Sequence, residues 1–395
     1  MLLINTDTLE LIRVENPENV EYAILSHTWE EEEVSLQEFQ DLEFAKTRKG
    51  FAKIEMTCRL AKKHGYDYAW VDTCCIDKSS SAELSEAINS MFRWYKGAKH
   101  CYAYLSDYDR STIRSSFAKC KWFTRGWTLQ ELIAPTNLTF YNQYWKELGS
   151  KHELRGEISR ITRIPEDVLC GQRDVTEVSV VFRMSWAAGR ETKRAEDIAY
   201  CLFGIFDVNL PMLYGEGQKA FLRLQEEICQ RVHDWTLFAW KTDTDQGHGR
   251  GIFAYNPNEF AYASTEIHKE FPLAGDVSVS NRGVIIDNVQ LSINEGQGLV
   301  LPLNLFQKMP GQADVRGGIF LKKVLNGYAR VKTDQLFFNF RTKAKLLPPE
   351  QINVISWGNL PMKRPPYCLD LSTSDNIEIQ RTAETAAPGA AQVRG

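Results

Sequence analysis

Short apolar runs alternate with helix-like patterns over the first 145 residues of the chain. Apolar residues at helical spacing cover 51–64 and 84–95, and Ser80 and Glu83 have the spacing of a capping box before the second helix. Strands that alternate with helices predict an α/β fold, a parallel sheet with helices on both faces. The predicted strands are residues 22–25, 68–71, 101–105 and 138–141.

The remainder of the chain divides into a helical part and a β-rich part. Residues 150–235 carry mainly helical patterns, clearest at 194–203 and 217–232. Beyond Trp235, short β-leaning runs separated by Gly, Asn and Pro predict an antiparallel domain. The clearest of these runs are 277–279, 283–286 and 298–301. The predicted units are an α/β domain with a helical extension over 1–235, a β-rich domain over 236–380 and a disordered tail over 381–395.

The composition is that of a globular protein, with 43% hydrophobic and 25% charged residues. A net charge of -4 argues against nucleic acid or an anionic membrane surface as a partner. No run approaches the roughly 20 apolar residues of a membrane span, and the N-terminus lacks signal-peptide features. Nine cysteines without C-x-x-C or disulfide-framework spacing predict free thiols in a reducing compartment, and hence a cytoplasmic location.

Known cofactor and metal motifs are missing from the sequence. His27 has no Cys or His partner at zinc-ligand spacing, and Gly215-Glu216-Gly217 lacks the pattern of a phosphate-binding loop. No G-x-S-x-G nucleophile elbow occurs. We therefore expect neither a metal nor a resident cofactor.

The densest chemistry lies in residues 122–132, which hold a carboxylate, a guanidinium and two indoles ahead of a helix-ending Pro135. A helix that starts near Trp127 places Glu131 one turn later on the same face. A carboxylate beside an indole suits a flat, positively charged ring. The simpler alternative is an amphipathic core helix that buries its Trp and Leu residues and leaves Glu131 solvated.

Three polar clusters follow three of the predicted strands. In doubly wound sheets, ligands bind beyond the carboxyl ends of the strands, so these clusters are expected to converge on one crevice. Arg can contact phosphate, indoles can stack on rings, and a carboxylate can stabilise positive charge. The clusters are Ser26, His27 and Trp29; Asp72, Cys74, Cys75 and Asp77; and Arg125, Trp127 and Glu131.

Each of these residue types also has an ordinary structural role. A single histidine is often held in place only by hydrogen bonds, and Asp72 and Asp77 have the positions of a cap and an Asx turn. Adjacent cysteines are commonly small buried apolar residues, and the two tryptophans are simple core anchors. These alternatives stay open at the level of sequence.

Taken together, the segments resemble the fungal heterokaryon-incompatibility (HET) domain family over roughly residues 1–240. The family acts in self/non-self recognition and triggers cell death when activated, which implies self-association and an upstream receptor or incompatibility partner. One departure is Glu30, where the family usually has Gly; a side chain there would reshape the loop over the pocket. The matching stretches are 22–29, 70–78, 84–91, 125–132, 195–200 and 212–217.

The HET family is similar to TIR domains, and this similarity implies a flavodoxin-like sheet and cleavage of NAD. TIR enzymes carry a catalytic Glu in a Trp-Cys-x-x-Glu-Leu helix motif. Residues 127–132 have the same spacing, with Thr128 in place of the Cys. The similarity therefore nominates Glu131 as the catalytic carboxylate.

The first hypothesis is an NAD glycohydrolase that uses NAD as its substrate. Glu131 would stabilise the ribosyl cation, as carboxylates do in glycoside hydrolysis. Trp127 or Trp29 would form the wall against nicotinamide, and Arg125 would hold the diphosphate. The remaining residues assigned to the substrate pocket are Ser26, His27, Asp72 and Asp77.

Two other hypotheses remain at this point. In the second, the same surface is a non-catalytic interaction module that triggers death by assembly or by docking a partner. In the third, Cys74 or Cys75 acts as a hydrolase nucleophile with His27 and Asp72. The C-terminal domain would provide autoinhibition or partner binding.

Overall fold

A computed structural model of the chain shows two sheets joined by a helical region. The first sheet is of mixed direction with a parallel centre, and the second is largely antiparallel. The structure describes residues 1–109, 116–243, 247–263, 267–269, 275–281, 283–294, 298–307, 315–325, 327–338, 345–356 and 359–360.

The first sheet and its helices are built from the N-terminal part of the chain. Its strands are β1 (Leu2–Asn5), β2 (Leu11–Arg13), β3 (Tyr22–His27), β4 (Tyr68–Trp70), β5 (His100–Tyr104), β6 (Leu138–Tyr141) and β7 (Glu147–Ser150). Its helices are α1 (Leu36–Phe39), α2 (Leu42–Ala45), α3 (Phe51–Lys63), α4 (Ser81–Gly97), α5 (Lys121–Thr124) and α6 (Thr128–Ile133). Short 3-10 helices cover Pro17–Asn19 and Phe117–Lys119.

The strand order of the first sheet is β2-β1-β4-β3-β5-β6-β7. The four central strands β4, β3, β5 and β6 pair in parallel, which confirms the predicted parallel sheet. Side by side in the sheet these strands stand in the order β4, β3, β5, β6, whereas along the chain β3 comes before β4. The direction in which successive strands are added therefore reverses between β3 and β5. In flavodoxin-like sheets, ligands bind at this switch point, beyond the carboxyl ends of the strands.

The edges of this sheet are antiparallel, which the sequence pattern did not predict. β1 and β2 form a hairpin beside β4, and β7 folds back on β6. In contrast, all six residues of β3 are buried, as expected for a central strand covered on both faces. The helix over 84–95 is confirmed and extends over α4, with the Ser80 side chain accepting a hydrogen bond from the Glu83 amide at 3.3 Å.

The helical extension is more broken than its sequence pattern indicates. Its helices are α7 (Arg155–Thr162), α8 (Glu166–Leu169), α9 (Val180–Ser185), α10 (Asp197–Tyr200), α11 (Phe203–Phe206) and α12 (Lys219–Arg231), with 3-10 helices at Val175–Glu177 and Trp235–Phe238. The single helix predicted over 194–203 is wrong. The chain turns at Leu202, between α10 and α11, and Gly204 then lies directly against Phe92 of α4.

The second sheet has twelve strands among the described residues. They are β8 (Gly249–Arg250), β9 (Ile267–Lys269), β10 (Val277–Ser280), β11 (Gly283–Val289), β12 (Ser292–Asn294), β13 (Gly298–Gln307), β14 (Val315–Val324), β15 (Gly327–Arg330), β16 (Phe337–Phe338), β17 (Lys345–Leu346), β18 (Glu350–Val354) and β19 (Asn359–Leu360), with a 3-10 helix at Pro257–Phe260. Its pairs are antiparallel except β15 with β18, which confirms the predicted β-rich region.

The helical extension and the second sheet share a packed boundary. α12 packs against β10, and the buried guanidinium of Arg330 stacks 3.6 Å from the ring centre of Trp240 while donating to the Phe238 carbonyl at 2.7 Å. The predicted limits at 236 and 380 stay predictions, and the predicted tail over 381–395 lies outside the described residues.

We predict that Gly204→Ala destabilises the protein, because the new Cβ would overlap the Cβ of Phe92, which the backbone of α4 holds in place. Overpacking of this kind typically costs about 1–3 kcal/mol in the free energy of unfolding. The matched control is Gly97→Ala, whose Cβ would meet only the Tyr22 hydroxyl at 3.5 Å. Urea unfolding is expected to show a loss for the first variant and no loss for the second; equal stabilities would contradict this packing.

Candidate functional site

A buried carboxyl group lies at the switch point of the parallel sheet. β3 ends at His27, and α6 packs against β3 and directs Glu131 toward the strand end. The Ser26 hydroxyl donates to Oε2 of Glu131 at 2.5 Å and accepts a hydrogen bond from Nε1 of Trp122 at 2.8 Å. An indole, a hydroxyl and a carboxyl thus form one chain of hydrogen bonds.

Glu131 is only 6% exposed, and Leu129 and Leu132 on the same helix are fully buried. The leucines fit the simpler core-helix alternative, but its solvated Glu131 is wrong. Burial raises the pKa of the Glu131 carboxyl to about 8, against the opposing effects of the Ser26 hydrogen bond and the Arg125 charge. The Tyr95 hydroxyl, which donates to the Leu25 carbonyl at 2.8 Å, also lies within hydrogen-bonding reach of this carboxyl. At neutral pH the site therefore holds a mainly protonated acid.

A second group of side chains surrounds Asp72, just after β4. Nε2 of His27 lies 2.9 Å from Oδ1 of Asp72, and Nε1 of Trp29 donates to Oδ2 at 2.7 Å. Burial alone would raise the pKa of Asp72, but the hydrogen bond and charge of His27 outweigh it and lower the pKa to about 2. Asp72 is thus an ionised carboxylate, and its charge further raises the pKa of Glu131. The two carboxyl groups are held in opposite protonation states.

A buried ion pair lies behind His27. Nζ of Lys53, a residue only 5% exposed, contacts Oε1 of Glu33 at 2.5 Å, Oε2 of Glu30 at 2.9 Å and the Thr28 carbonyl at 3.2 Å. Nδ1 of His27 lies 4.0 Å from the same Glu33 oxygen. Glu30, the departure from the family pattern, is therefore tied to Lys53, and this pairing fixes the loop that carries Trp29.

Both ends of the short helix α6 are held by buried cations. Nζ of Lys151 donates to the carbonyls of Leu132 and Pro135, where the helix ends. The buried guanidinium of Arg190 donates to the Arg125 carbonyl at 2.8 Å and to the Thr128 hydroxyl at 3.2 Å. Because a six-residue helix leaves most of its terminal carbonyls without intrahelical partners, these contacts fix its position.

The turn between α5 and α6 is paired with the helical extension. Arg125 forms a parallel β-bridge with Glu191, and the Gly126 amide donates to the Glu191 carbonyl at 2.9 Å. The half-buried Arg125 guanidinium has no hydrogen bond or ion pair among the described residues, but its charge lowers the pKa of Glu131. Trp127 is half-buried, and its indole hydrogen-bonds to Asp197 of α10.

Asp77, Cys74 and Cys75 have hydrogen-bond partners other than Glu131. The Asp77 carboxylate accepts from the amide and hydroxyl of Ser79 and from Gln37 at 3.0 Å, which is the Asx-turn role. Cys74 and Cys75 are buried, and burial raises the pKa of the Cys74 thiol well above its ordinary value. Neither thiol is hydrogen-bonded to His27 in the described part of the chain, so the geometry of a cysteine nucleophile is not present there.

Comparison with known proteins relates the N-terminal part of the chain to a family. Residues 22–118 match the family model described as Heterokaryon incompatibility protein (HET). The vegetative incompatibility protein HET-E-1 of Podospora anserina is 50% identical over an alignment of 218 positions that covers 52% of this chain. The N-terminal part of the chain is a HET domain. Ser26, His27, Trp29 and Asp72 lie within the matched range, and Glu131 follows it.

The chain aligns with only a small part of this relative. The aligned region covers only 16% of the length of HET-E-1. Residues 219–269 match a separate model, Domain of unknown function (DUF8212), and this match spans the predicted boundary at 235. No solved structure matches the chain.

A metal site and a membrane-spanning helix are both absent from the described residues. Within them, no group of three or more His, Cys, Asp and Glu side chains is arranged to hold a metal ion. No helix in these parts of the chain is long and apolar enough to cross a bilayer.

Several residues that shape the HET site were not singled out from the sequence. They supply the hydrogen bonds and buried charges around Glu131, His27 and α6: Trp122, Tyr95, Lys53, Lys151 and Arg190. Trp122 lies in the chemically dense segment 122–132, and this position was the one sequence signal that it could belong to the site. For Lys53, Lys151 and Arg190 the sequence gives no signal, because a lysine or arginine is typical of the surface and only the fold shows its burial.

We predict that Glu131 makes the stability of the HET domain pH-dependent. Its pKa is raised from an ordinary 4.5 to about 8, so between these values the folded protein binds more protons than the unfolded chain. The free energy of unfolding should therefore fall with rising pH in this window, by about 1.4 kcal/mol per pH unit from this group. Glu131→Gln should lack this contribution.

Urea unfolding of both proteins over a pH series measures the effect. The difference in unfolding free energy, original minus variant, is expected to decrease from about pH 4.5 to about pH 8 and then level off. Parallel curves for the two proteins would mean that Glu131 titrates normally.

Proposed function

We propose that this chain acts in vegetative incompatibility, as the name of its relative states for that protein, and that its HET domain hydrolyses NAD with Glu131. The observation that carries the chemical part is the buried Glu131 carboxyl at the switch point, bonded to Ser26 and bordered by Asp72. An acid of raised pKa beside an ionised carboxylate is the arrangement expected at a catalytic site.

The reaction needs a stabiliser of positive charge and a water molecule. The bond between ribose C1′ and the pyridinium nitrogen breaks, its electron pair leaves with neutral nicotinamide, and positive charge develops on the ribose. Water adds to C1′ and releases one proton, which gives nicotinamide, ADP-ribose and H⁺. Because nicotinamide leaves without protonation, a single carboxylate is sufficient, in contrast to the paired carboxyl groups of glycosidases.

Glu131 has the properties for the charge-stabilising role. Its carboxylate form would lie next to the developing cation in a site that excludes water, where electrostatic stabilisation is strongest. The cationic nicotinamide ring would itself favour ionisation, since a nearby positive charge lowers a carboxyl pKa. Binding of NAD would thus convert the protonated resting acid into the reactive carboxylate.

The surrounding residues suit complementary roles. Ser26 hydrogen-bonds to Glu131 and orients its carboxyl group. The half-buried indole of Trp29, which Asp72 fixes through its N–H, presents a surface against which a flat ring can stack. Asp72 adds negative charge near the same position, and Arg125, which forms no ion pair in the described part of the chain, is a cation for phosphate oxygens.

We predict that Glu131→Gln folds normally and loses NAD cleavage by about 100- to 1000-fold, the usual effect of removing an electrostatic stabiliser. The full chain is assayed over a concentration series, so that assembly-dependent activity is included, and nicotinamide and ADP-ribose are identified by mass. Glu43→Gln is the matched control, because the Glu43 side chain is 86% exposed on α2 and, among the described residues, pairs only with Lys46. It should cleave NAD at the original rate.

Two outcomes would contradict the proposal. Retained turnover in Glu131→Gln would remove this residue from the mechanism. Intact NAD with the original, assembled protein, under conditions in which its expression still kills cells, would favour the non-catalytic interaction module.

We also predict an alkaline pH dependence of kcat/KM, which reports the ionisation of the free enzyme. Because the ionised form of Glu131 acts, the rate constant should rise about tenfold per pH unit and level off above about pH 8. Ser26→Ala removes a hydrogen bond that lowers this pKa, so its midpoint should move to higher pH. A profile that falls over the same range would contradict the assignment of Glu131 as a carboxylate.

A further inference from the structure

Two lysine ammonium groups border the indole of Trp29. Nζ of Lys78 lies 3.8 Å from the ring centre, and Nζ of Lys193 lies 5.5 Å from the same centre. The two nitrogens are thus within about 9 Å of each other. They come from distant parts of the chain, the loop after β4 and the segment before α10, and both side chains are exposed.

Neither lysine pairs with a carboxylate among the described residues, and the same holds for Arg125. This contrasts with Lys53, which the fold surrounds with Glu30 and Glu33. In a chain with 51 acidic and 47 basic residues, these three cations form no direct ion pair among the described residues, although the charge of Lys78 lowers the pKa of Asp72. No described carboxylate therefore occupies the hydrogen-bond donors of these three side chains.

The backbone connects these cations to the Glu131 site. Lys193 follows Glu191, which forms the β-bridge with Arg125, and Arg125 is close enough to lower the pKa of Glu131. Lys78 follows Asp72, whose carboxylate holds the indole N–H of Trp29. The three cations therefore belong to segments that border the Glu131 site.

We propose that Lys78 and Lys193, with Arg125, form a phosphate-binding rim that selects substrates carrying a diphosphate. This inference rests on the proposed function, because it names the part of a dinucleotide that the rim holds while Glu131 acts on the ribose. A diphosphate carries its charges over a few ångströms, so two flexible ammonium groups on either side of it can both make charge-assisted hydrogen bonds.

The contact of Lys78 and Lys193 with the Trp29 indole determines where the two ammonium groups lie before a ligand binds. Each ammonium group is placed against the indole by a cation–π interaction, worth only about 0.5–1 kcal/mol at an exposed position. Phosphate oxygens are stronger partners for an ammonium group than an indole ring is. Ligand phosphates would draw the lysines away from Trp29 and free the indole face for a nicotinamide ring.

Binding measurements on the full chain with Glu131→Gln, in which turnover is suppressed, test the rim. Lys78→Met and Lys193→Met are made in this background, and calorimetry measures the Kd for ADP-ribose, which carries the diphosphate, and for nicotinamide riboside, which carries no phosphate. Each variant should weaken ADP-ribose binding about tenfold and reduce its salt dependence. The Kd for nicotinamide riboside should not change.

Lys63→Met is the matched control, because Lys63 is an exposed lysine at the end of α3 without an ion pair in the described structure. It should leave both dissociation constants unchanged. Unaltered ADP-ribose binding in the rim variants, equal weakening of both ligands, or no ADP-ribose binding by the parent protein would each overturn the proposal.

The design separates this inference from the proposed activity. If ADP-ribose binding depends on the two lysines but the original protein leaves NAD intact, the rim stands as a nucleotide-binding surface and the hydrolase proposal fails. If the protein cleaves NAD and the lysine variants bind ADP-ribose normally, the rim alone is wrong.

Discussion

The structure of the site depends on supplying hydrogen-bond donors to one buried carboxyl group, that of Glu131. An unpaired polar group in the interior costs several kcal/mol, so Glu131 can be buried only where donors meet it. Ser26 supplies the donor from the end of β3, and Trp122 fixes the Ser26 hydroxyl from α5. This chain of hydrogen bonds joins a central strand to two short helices and determines where the reactive group lies.

The helical extension is part of the same scaffold. Arg190 and Glu191 hold the turn before α6, while Lys151 holds the helix at its other end. A short helix has little stability of its own, so these long-range contacts maintain its geometry. Any movement of the extension relative to the parallel sheet would therefore displace Glu131, which gives a physical link between the rest of the chain and the site.

The central architecture was predictable because its signals are local. The continuous apolar runs of β3 to β6 and the helical periodicity of α3 and α4 identify each element without reference to the rest of the chain. The convergence of Ser26, Asp72 and Glu131 followed from one rule, that parallel strands end at the same edge. Asp77 has the same position after a strand, but its carboxylate is bound within a local turn by the Ser79 hydroxyl.

Other features could not be predicted because they depend on distant partners. The Ser26 hydroxyl is 96 residues from Trp122 and 105 from Glu131, so no local pattern reveals their hydrogen bonds. The antiparallel edge strands β1, β2 and β7 are short and half-exposed, and their sequences resemble loops. The break between α10 and α11 reflects the fit of Gly204 to Phe92, which only tertiary packing creates.

The most direct test of the account is the protonation state of the Glu131 carboxyl in the folded protein. Infrared difference spectra between the original chain and Glu131→Gln isolate the carbonyl band of this one acid across a pH series. We expect a protonated-acid band that persists at neutral pH and disappears with a midpoint near pH 8. A band already lost near the ordinary value of 4.5 would show that Glu131 lies in a water-like environment, and the buried acid at the centre of this account would not exist.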